Sequence, residues 1–306
     1  MFSKRNSKCF VVSIITFFLV GAAGPSISSE ESPATMVVNG RDMPYTVLGE
    51  GETVVLIHGA ASDRRTWSRH QAKLAKEGFR AVAFTQRYYG DEDWDEKWPP
   101  YRIRTHADDL AAFLRGLGMG KAHLVAWSSG GHIALNVAHE SPELVKSVMI
   151  YEPVVPSYVV DEESLQAIGD DANAMVGPVF EPMLAGKLEL AAHLFLDGVS
   201  NRSGYLDSLP TEARQIVLDN ARAMPLMFDD GETDMPITCS QMQGIEPPIL
   251  IARGKYSRPF FSLTADAAMR CIGGNHHLIQ PGADHMWPGE NPDDFVQVVV
   301  TFIRGS

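Results

Sequence analysis

Short β-rich runs alternate with amphipathic helical stretches along most of this 306-residue chain, and that alternation restricts the fold more than any other feature. Segments 43–48, 53–57, 79–84, 121–127 and 146–151 read as strands, with helical patterning at 67–77, 105–117 and 129–139 between them. Strands joined through helices must run parallel, so the pattern predicts an α/β fold: a mostly parallel sheet covered by helices on both faces. The alternation resumes at 248–252, 259–270, 276–280 and 291–303. Between its two parts, 153–246 is helical and loop-like, rich in Met and Leu, and punctuated by Gly177-Pro178, Leu209-Pro210 and Met235-Pro236. It reads as a helical cap inserted between two strands, where it would roof a pocket. The expected organisation is core over 35–152, cap over 153–246, and core again over 247–306.

The first 34 residues stand apart from that pattern. Lys4, Arg5 and Lys8 precede an apolar run over 9–20, followed by the small residues Gly21 and Ala23, which reads as a secretory signal over 1–23 and a linker over 24–34. The apolar run is shorter than the roughly 20 residues of a spanning helix. Export to the periplasm or medium is therefore expected, without stable membrane association after cleavage; an uncleaved anchor is the alternative. Loss of those three cations takes the formal charge from −12 to −15. So acidic a chain lacks the clustered Lys and Arg that phosphate contacts require, which argues against nucleic acid as a partner and against strongly anionic substrates. A small uncharged molecule is the expected partner, and the sequence leaves the oligomeric state open. Cys239 and Cys271 would remain after processing, as one disulfide or as two free thiols. Their spacing matches no zinc site and no C-x-x-C motif, so neither metal nor cofactor is expected.

The candidate nucleophile is Ser128, in Leu124-Val125-Ala126-Trp127-Ser128-Ser129-Gly130-Gly131-His132. An apolar strand, a turn of small residues and a helix follow one another there. A serine on so sharp a turn projects its hydroxyl outward only if the residues two before and two after are small, and Ala126 and Gly130 are. The pattern is G-x-S-x-G with alanine for the first glycine, and Gly131 leaves room for the helix to pack on the sheet. The N-terminus of that helix presents free N–H groups to a developing negative charge.

Taken with Leu56-Ile57-His58-Gly59-Ala60, Pro248-Ile249-Leu250-Ile251 before Arg253-Gly254, and Pro281-Gly282-Ala283-Asp284-His285, the chain from 39 to 303 resembles the α/β-hydrolase superfamily. The resemblance implies His285 as general base, on a loop after the last strand, in preference to His58, His132, His276 or His277. It implies an oxyanion hole from the main-chain N–H groups of Ser129 and Ala60. In much of the superfamily the acid follows the strand ending at Arg253-Gly254, but Lys255-Tyr256-Ser257-Arg258 holds no carboxylate. Asp284 adjoins the histidine it would have to reach, and Asp266 lies within a helical run. Glu152 ends the strand 146–151, on the same sheet edge as Ser128, and is similarly placed to the acid of the haloalkane dehalogenase and zearalenone-type lactonase branches; it is the expected acid.

Serine rather than aspartate at 128 disfavours the dehalogenase and epoxide-hydrolase chemistries, which pass through an alkyl ester of a carboxylate. The resemblance thus implies hydrolysis of a small, fairly hydrophobic carboxylic ester or lactone. A C–C bond hydrolase or cofactor-free perhydrolase on the same residues, and a non-catalytic ligand-binding relative, are the alternatives. Candidate substrate contacts are Trp127, Tyr88, Tyr89, Met286 and Trp287, with 224–228 of the cap.

Overall fold

The computed structural model describes residues 34–306 apart from 92, 155, 230–236 and 274–276. The segment read as an export signal, all but the last residue of the linker, His276 and Met235-Pro236 lie outside the described residues. The described strands are β1 (Ala34–Val38), β2 (Arg41–Leu48), β3 (Glu52–Ile57), β4 (Phe79–Phe84), β5 (Ala122–Trp127), β6 (Val145–Tyr151), β7 (Ile249–Gly254) and β8 (His277–Gln280). They form one sheet in the order β1-β2-β4-β3-β5-β6-β7-β8. β1 and β2 pair antiparallel, β2 runs antiparallel to β4, and β3 to β8 are mutually parallel. β1 has no counterpart in the sequence reading, which leaves its first residue in the linker. The signal for it is Asn39-Gly40, whose φ values of 45° and 75° suit the two-residue turn of a hairpin.

The parallel strands are apolar on both faces because both are covered. Val54 and Leu56 of β3, Val125 of β5, and Met149 and Tyr151 of β6 join one apolar cluster. Their neighbours Val55, Ile57, Leu124, Ala126, Val148 and Ile150 join the other, as the two-residue period of a strand requires. Helices Ile103–Leu117, Ser129–Glu140 and Pro259–Ile272 cover this second face; Ser68–Lys76 and Pro292–Gly305 cover the first.

Between β6 and β7 the chain forms helices Glu162–Leu184, Leu188–Ser200, Tyr205–Ser208, Thr211–Asn220 and Met224–Met227. Gly177-Pro178, read as a break, lies inside the first of these, as does Pro182. A proline within a helix costs about 3 kcal/mol. Val179 and Met183 on that turn are buried with Ala191 and Phe195 of the next helix, and this packing offsets the cost. Gly177 has no Cβ to clash with the proline ring that follows it. Leu209-Pro210 does mark a boundary, with Pro210 preceding Thr211–Asn220. After these helices, Ile237 and Met242 are buried in the second-face cluster, and Cys239 is disulfide-bonded to Cys271 of Pro259–Ile272. The cysteines left open by the sequence are thus bridged. No helix among the described residues is long and apolar enough to cross a membrane.

Candidate active site

Four residues outside glycine and asparagine adopt positive φ among the described residues: Ala61 (48°), Tyr88 (71°), Ser128 (58°) and Glu152 (52°). They follow β3, β4, β5 and β6 respectively, all at the carboxyl edge of the parallel strands. Such conformations cost roughly 1–3 kcal/mol each and persist where the surroundings over-determine them. Their concentration on one edge marks it as the working end of the sheet.

Ser128 turns the chain from β5 into helix Ser129–Glu140, with φ 58° and ψ −127°. Its N–H donates to the Tyr151 carbonyl at 2.9 Å, and its carbonyl accepts from the Gly131 N–H at 2.9 Å. A Cβ at Gly130 would stand 2.7 Å from the His58 carbonyl oxygen and 2.8 Å from that of Ile57, so no larger residue fits under the turn. The loop after β3 comes equally close from the other side: a Cβ at Gly59 would lie 3.0 Å from that of Ser128. Residues 54–59 and 122–127 are buried, whereas Ala60, Ser128 and Ser129 are half-buried. The edge therefore opens to solvent at the serine and at the two residues expected to supply oxyanion donors.

Glu152 is wholly buried, and its backbone N–H donates to the Ala252 carbonyl at 2.9 Å. His285 Nδ1 lies 2.6 Å from Glu152 Oε2. The other carboxylate oxygen accepts from the Gly254 N–H at 2.8 Å and from the Ser257 hydroxyl. These bonds satisfy a charge that would otherwise be costly to bury. The His285 ring is stacked on Phe261, with centroids 3.6 Å apart and planes 9° apart. Its carbonyl accepts from Trp127 Nε1 at 3.0 Å, which ties the histidine loop to the residue preceding Ser128. The two rival carboxylates are engaged elsewhere: Asp266 with Arg253 at 2.6 and 3.1 Å, and Asp284 with the Met286 N–H at 2.8 Å and Arg202 at 3.1 Å.

The remaining histidines have other surroundings. His58 is fully buried; its Nε2 accepts from the Gln86 N–H at 3.0 Å, which leaves the proton on Nδ1 to be donated to the Gly59 carbonyl at 2.8 Å. Burial holds its pKa down to about 4, so the ring is a neutral brace for the loop bearing Ala60. His132 is buried within its helix, and His277 is exposed on β8.

The candidate substrate contacts divide. Trp127 and Met286 lie in the apolar cluster that runs from the sheet into the helices inserted between β6 and β7, together with half-buried Ala60. The Tyr89 ring stands edge-on to His58 at 5.0 Å; its hydroxyl is 2.7 Å from that of Tyr101 and 3.8 Å from Met227 Sδ of the cap. Trp287 and Tyr88 do not have the expected surroundings. The Trp287 ring packs on Tyr151 at 5.4 Å and Phe295 at 5.7 Å, beneath the histidine loop. Tyr88 donates to the Pro99 carbonyl and sits among Trp94, Trp98 and Tyr101. Trp287 follows His285 by two residues, yet its ring is turned into the apolar cluster, whereas the Tyr88 ring joins a separate aromatic group after β4. The sequence assigns no site role to Ser257 or Phe261, and it marks Gly254 only as a landmark at the end of its strand. Ser257 occupies the slot set aside for lacking a carboxylate, and no local pattern there signals a bond to a residue 105 positions away.

A model of the alpha/beta hydrolase family matches residues 54–298. The 2-(acetamidomethylene)succinate hydrolase of Mesorhizobium japonicum is 26% identical over 260 residues, 83% of this chain and 89% of that protein. Among solved structures, a membrane phospholipase A described as a bacterial virulence factor superposes with a TM-score of 0.71 at 22% identity, covering 90% of this chain and 86% of that one. The enol-lactonase from Burkholderia xenovorans superposes with a TM-score of 0.66 at 19% identity, covering 89% of this chain and all of its own (100%). At those identities the two structures speak for the fold alone. With the family model spanning most of the sheet and both sides of the helical insertion, the chain belongs to the alpha/beta hydrolase family.

Proposed function

We propose that this protein is a serine hydrolase that cleaves small, fairly hydrophobic carboxylic esters or lactones through Ser128, His285 and Glu152. The observation that carries the reading is the 2.6 Å contact between His285 Nδ1 and buried Glu152, at the sheet edge where Ser128 is held half-exposed on a strained turn. Glu152 accepts a hydrogen bond from the Nδ1–H, which fixes the tautomer and leaves the unprotonated Nε2 to act as base. His285 takes the Ser128 proton as Oγ bonds to the carbonyl carbon, and the Ala60 and Ser129 N–H groups receive the oxyanion. Collapse expels the alcohol, which carries away the proton held on His285, and leaves an acyl-serine. Water then attacks that ester, again through His285, and releases the acid with Ser128 restored; a lactone gives the same sequence with both products in one molecule.

The apolar cluster shared by Trp127, Met286 and cap residues such as Met224 and Phe195 supports an uncharged, hydrophobic acyl compound. The names of the similar proteins, a phospholipase A and an enol-lactonase among them, are in keeping with acyl chemistry. Export is part of the same proposal, supported by the Cys239–Cys271 bridge, since disulfides persist in oxidising compartments. Turnover of a short p-nitrophenyl ester and labelling by a fluorophosphonate test the reading. Ser128→Ala should abolish both. Absence of turnover and of label in the wild-type protein would refute it, and turnover of a diketone instead would move the reading to C–C hydrolysis.

A further inference from the structure

The loop that carries Ala60 is anchored at both ends, and its downstream anchor is held by the cap. Asp63, three residues beyond Ala60, is fully buried. Its carboxylate accepts from the Arg65 N–H at 2.9 Å, from the Arg65 guanidinium at 2.6 Å, and from Asn220 Nδ2 at 2.8 Å. Asn220 is the last residue of cap helix Thr211–Asn220 and is itself fully buried. Its second Nδ2 proton goes to the Ile216 carbonyl at 2.7 Å, and its Oδ1 accepts from the Gly90 N–H, in the loop after β4, at 2.6 Å. Both donors and the acceptor of one amide are used, and they join the cap to two loops of the working edge. The preceding residue strengthens the same joint, since Asp219 pairs with Arg65 at 2.8 Å. Burial would raise the Asp63 pKa, but the bonds from Arg65 and Asn220 outweigh it and hold the carboxyl below its usual range. Asp63 is therefore a charged acceptor, with the Arg65 cation on one side and the uncharged Asn220 amide on the cap side.

Between this anchor and the His58 brace lies Ala61 in the left-handed region, beside the Ala60 N–H. A strained loop with two anchors relaxes when one is cut, and an oxyanion donor displaced by a fraction of an ångström loses its alignment with the transition state while the substrate pocket is unchanged.

Resting on the hydrolase reading above, we propose that Asn220 is a positioning residue for the oxyanion loop, through which the cap holds the Ala60 N–H in its working place. The amide is matched to Asp63 in a way that carboxylate cannot imitate. Asn220→Asp keeps the acceptor for Gly90 but sets two carboxylates against each other, whereas Asn220→Ala removes both links.

The test combines ester kinetics with hydrogen–deuterium exchange on the full protein. Both variants should lower kcat by about 10–100-fold with KM within about threefold, the scale of a misplaced transition-state donor. Exchange should accelerate over 57–67 and 86–91 and stay unchanged over 122–140. In Asn220→Asp, kcat relative to wild type should recover severalfold between pH 8 and pH 5.5, as the facing carboxylates come to share a proton; a general loss of packing would not produce that profile. Unchanged exchange over 57–67, or a rise in KM with kcat intact, overturns the proposal. Wild-type protein inactive on every acyl substrate would refute the hydrolase reading, and the exchange arm would still decide whether Asn220 holds the loop. Active variants indistinguishable from an active wild type would refute the positioning role of Asn220 and leave the hydrolase reading standing.

Discussion

His285 and His106 are both buried and both ringed by aromatic side chains, yet only one has an anionic partner. His285 stacks on Phe261 and meets Glu152 at 2.6 Å. His106 stands edge-on to Tyr101 at 4.7 Å and tilted to Tyr89 at 6.4 Å, and neither of its ring nitrogens has a hydrogen-bond partner among the described residues. Burial, reinforced by the neighbouring His58 ring and by the charges of Arg41 and Arg87, pushes its pKa down to about 3. Aromatic burial without an anionic partner therefore leaves this histidine neutral. A carboxylate satisfied from behind is what lets a buried imidazole carry a proton during a reaction. The difference lies in the residues behind the ring rather than in the ring.

Glu152→Gln breaks the comparison most severely, because it takes away the charge that distinguishes the two sites. The amide can donate to Nδ1 and so favour the wrong tautomer, with Nε2 protonated and unable to act as base. We expect kcat to fall by about 10^4-fold, the scale for loss of tautomer control in such a triad, with the thermal transition nearly unchanged. Near-normal kcat in a well-folded variant would show that His285 does not depend on Glu152.

The second test acts on the neutral histidines. His58 and His70 are held to about 4 and His106 to about 3, against an ordinary value of 6.5, with burial the main cause in each. The unfolded chain therefore binds protons at these positions at higher pH than the folded chain does. Their neutral burial costs nothing above pH 6.5, and stability falls as pH drops from 6.5 towards 4. At pH 5 each group would cost about 2 kcal/mol relative to pH 7. His106→Phe should leave stability at pH 7 close to wild type, since no bond is lost, and should flatten the decline measured by urea unfolding at pH 7 and pH 5. An unchanged slope would mean that His106 is hydrated or paired in solution.

The sheet could be read from sequence because burial on both faces writes each strand as a continuous apolar run; 79–84 was located to the residue, and the other parallel strands to within two residues or so. β1 escaped because its face is mostly exposed and its hydrophobic signal correspondingly weak. Ser128 was visible through the small residues its turn demands, and the expected partners His285 and Glu152 are in contact in the fold. The surroundings of the Trp287 and Tyr88 rings are not legible in the sequence, because size and sequence neighbourhood do not say which way a ring turns. Asn220 and Ser257 were invisible for a related reason. A polar residue bonded to partners 157 and 105 positions away carries no local signature.

Ser257 offers the finest adjustment of the contrast between the two histidines. Its hydroxyl and the Gly254 N–H converge on the one Glu152 oxygen that does not face His285. Ser257→Ala removes one donor and leaves the backbone donor and the carboxylate in place. A lost hydrogen bond to a charged group is worth about 1.5–3 kcal/mol, but the half-open position of Ser257 lets water replace part of it. The expected result is a fall in kcat of about 3–10-fold, with KM little changed, and an acid limb of the kcat profile displaced. The direction of that displacement separates two roles. A carboxylate with one fewer donor concentrates its charge on the oxygen facing Nδ1, which binds the imidazolium more tightly and moves the limb to higher pH. If Ser257 instead serves only to pack the turn after β7, the limb stays where it is in wild type, and threonine at 257 fails to restore what alanine loses.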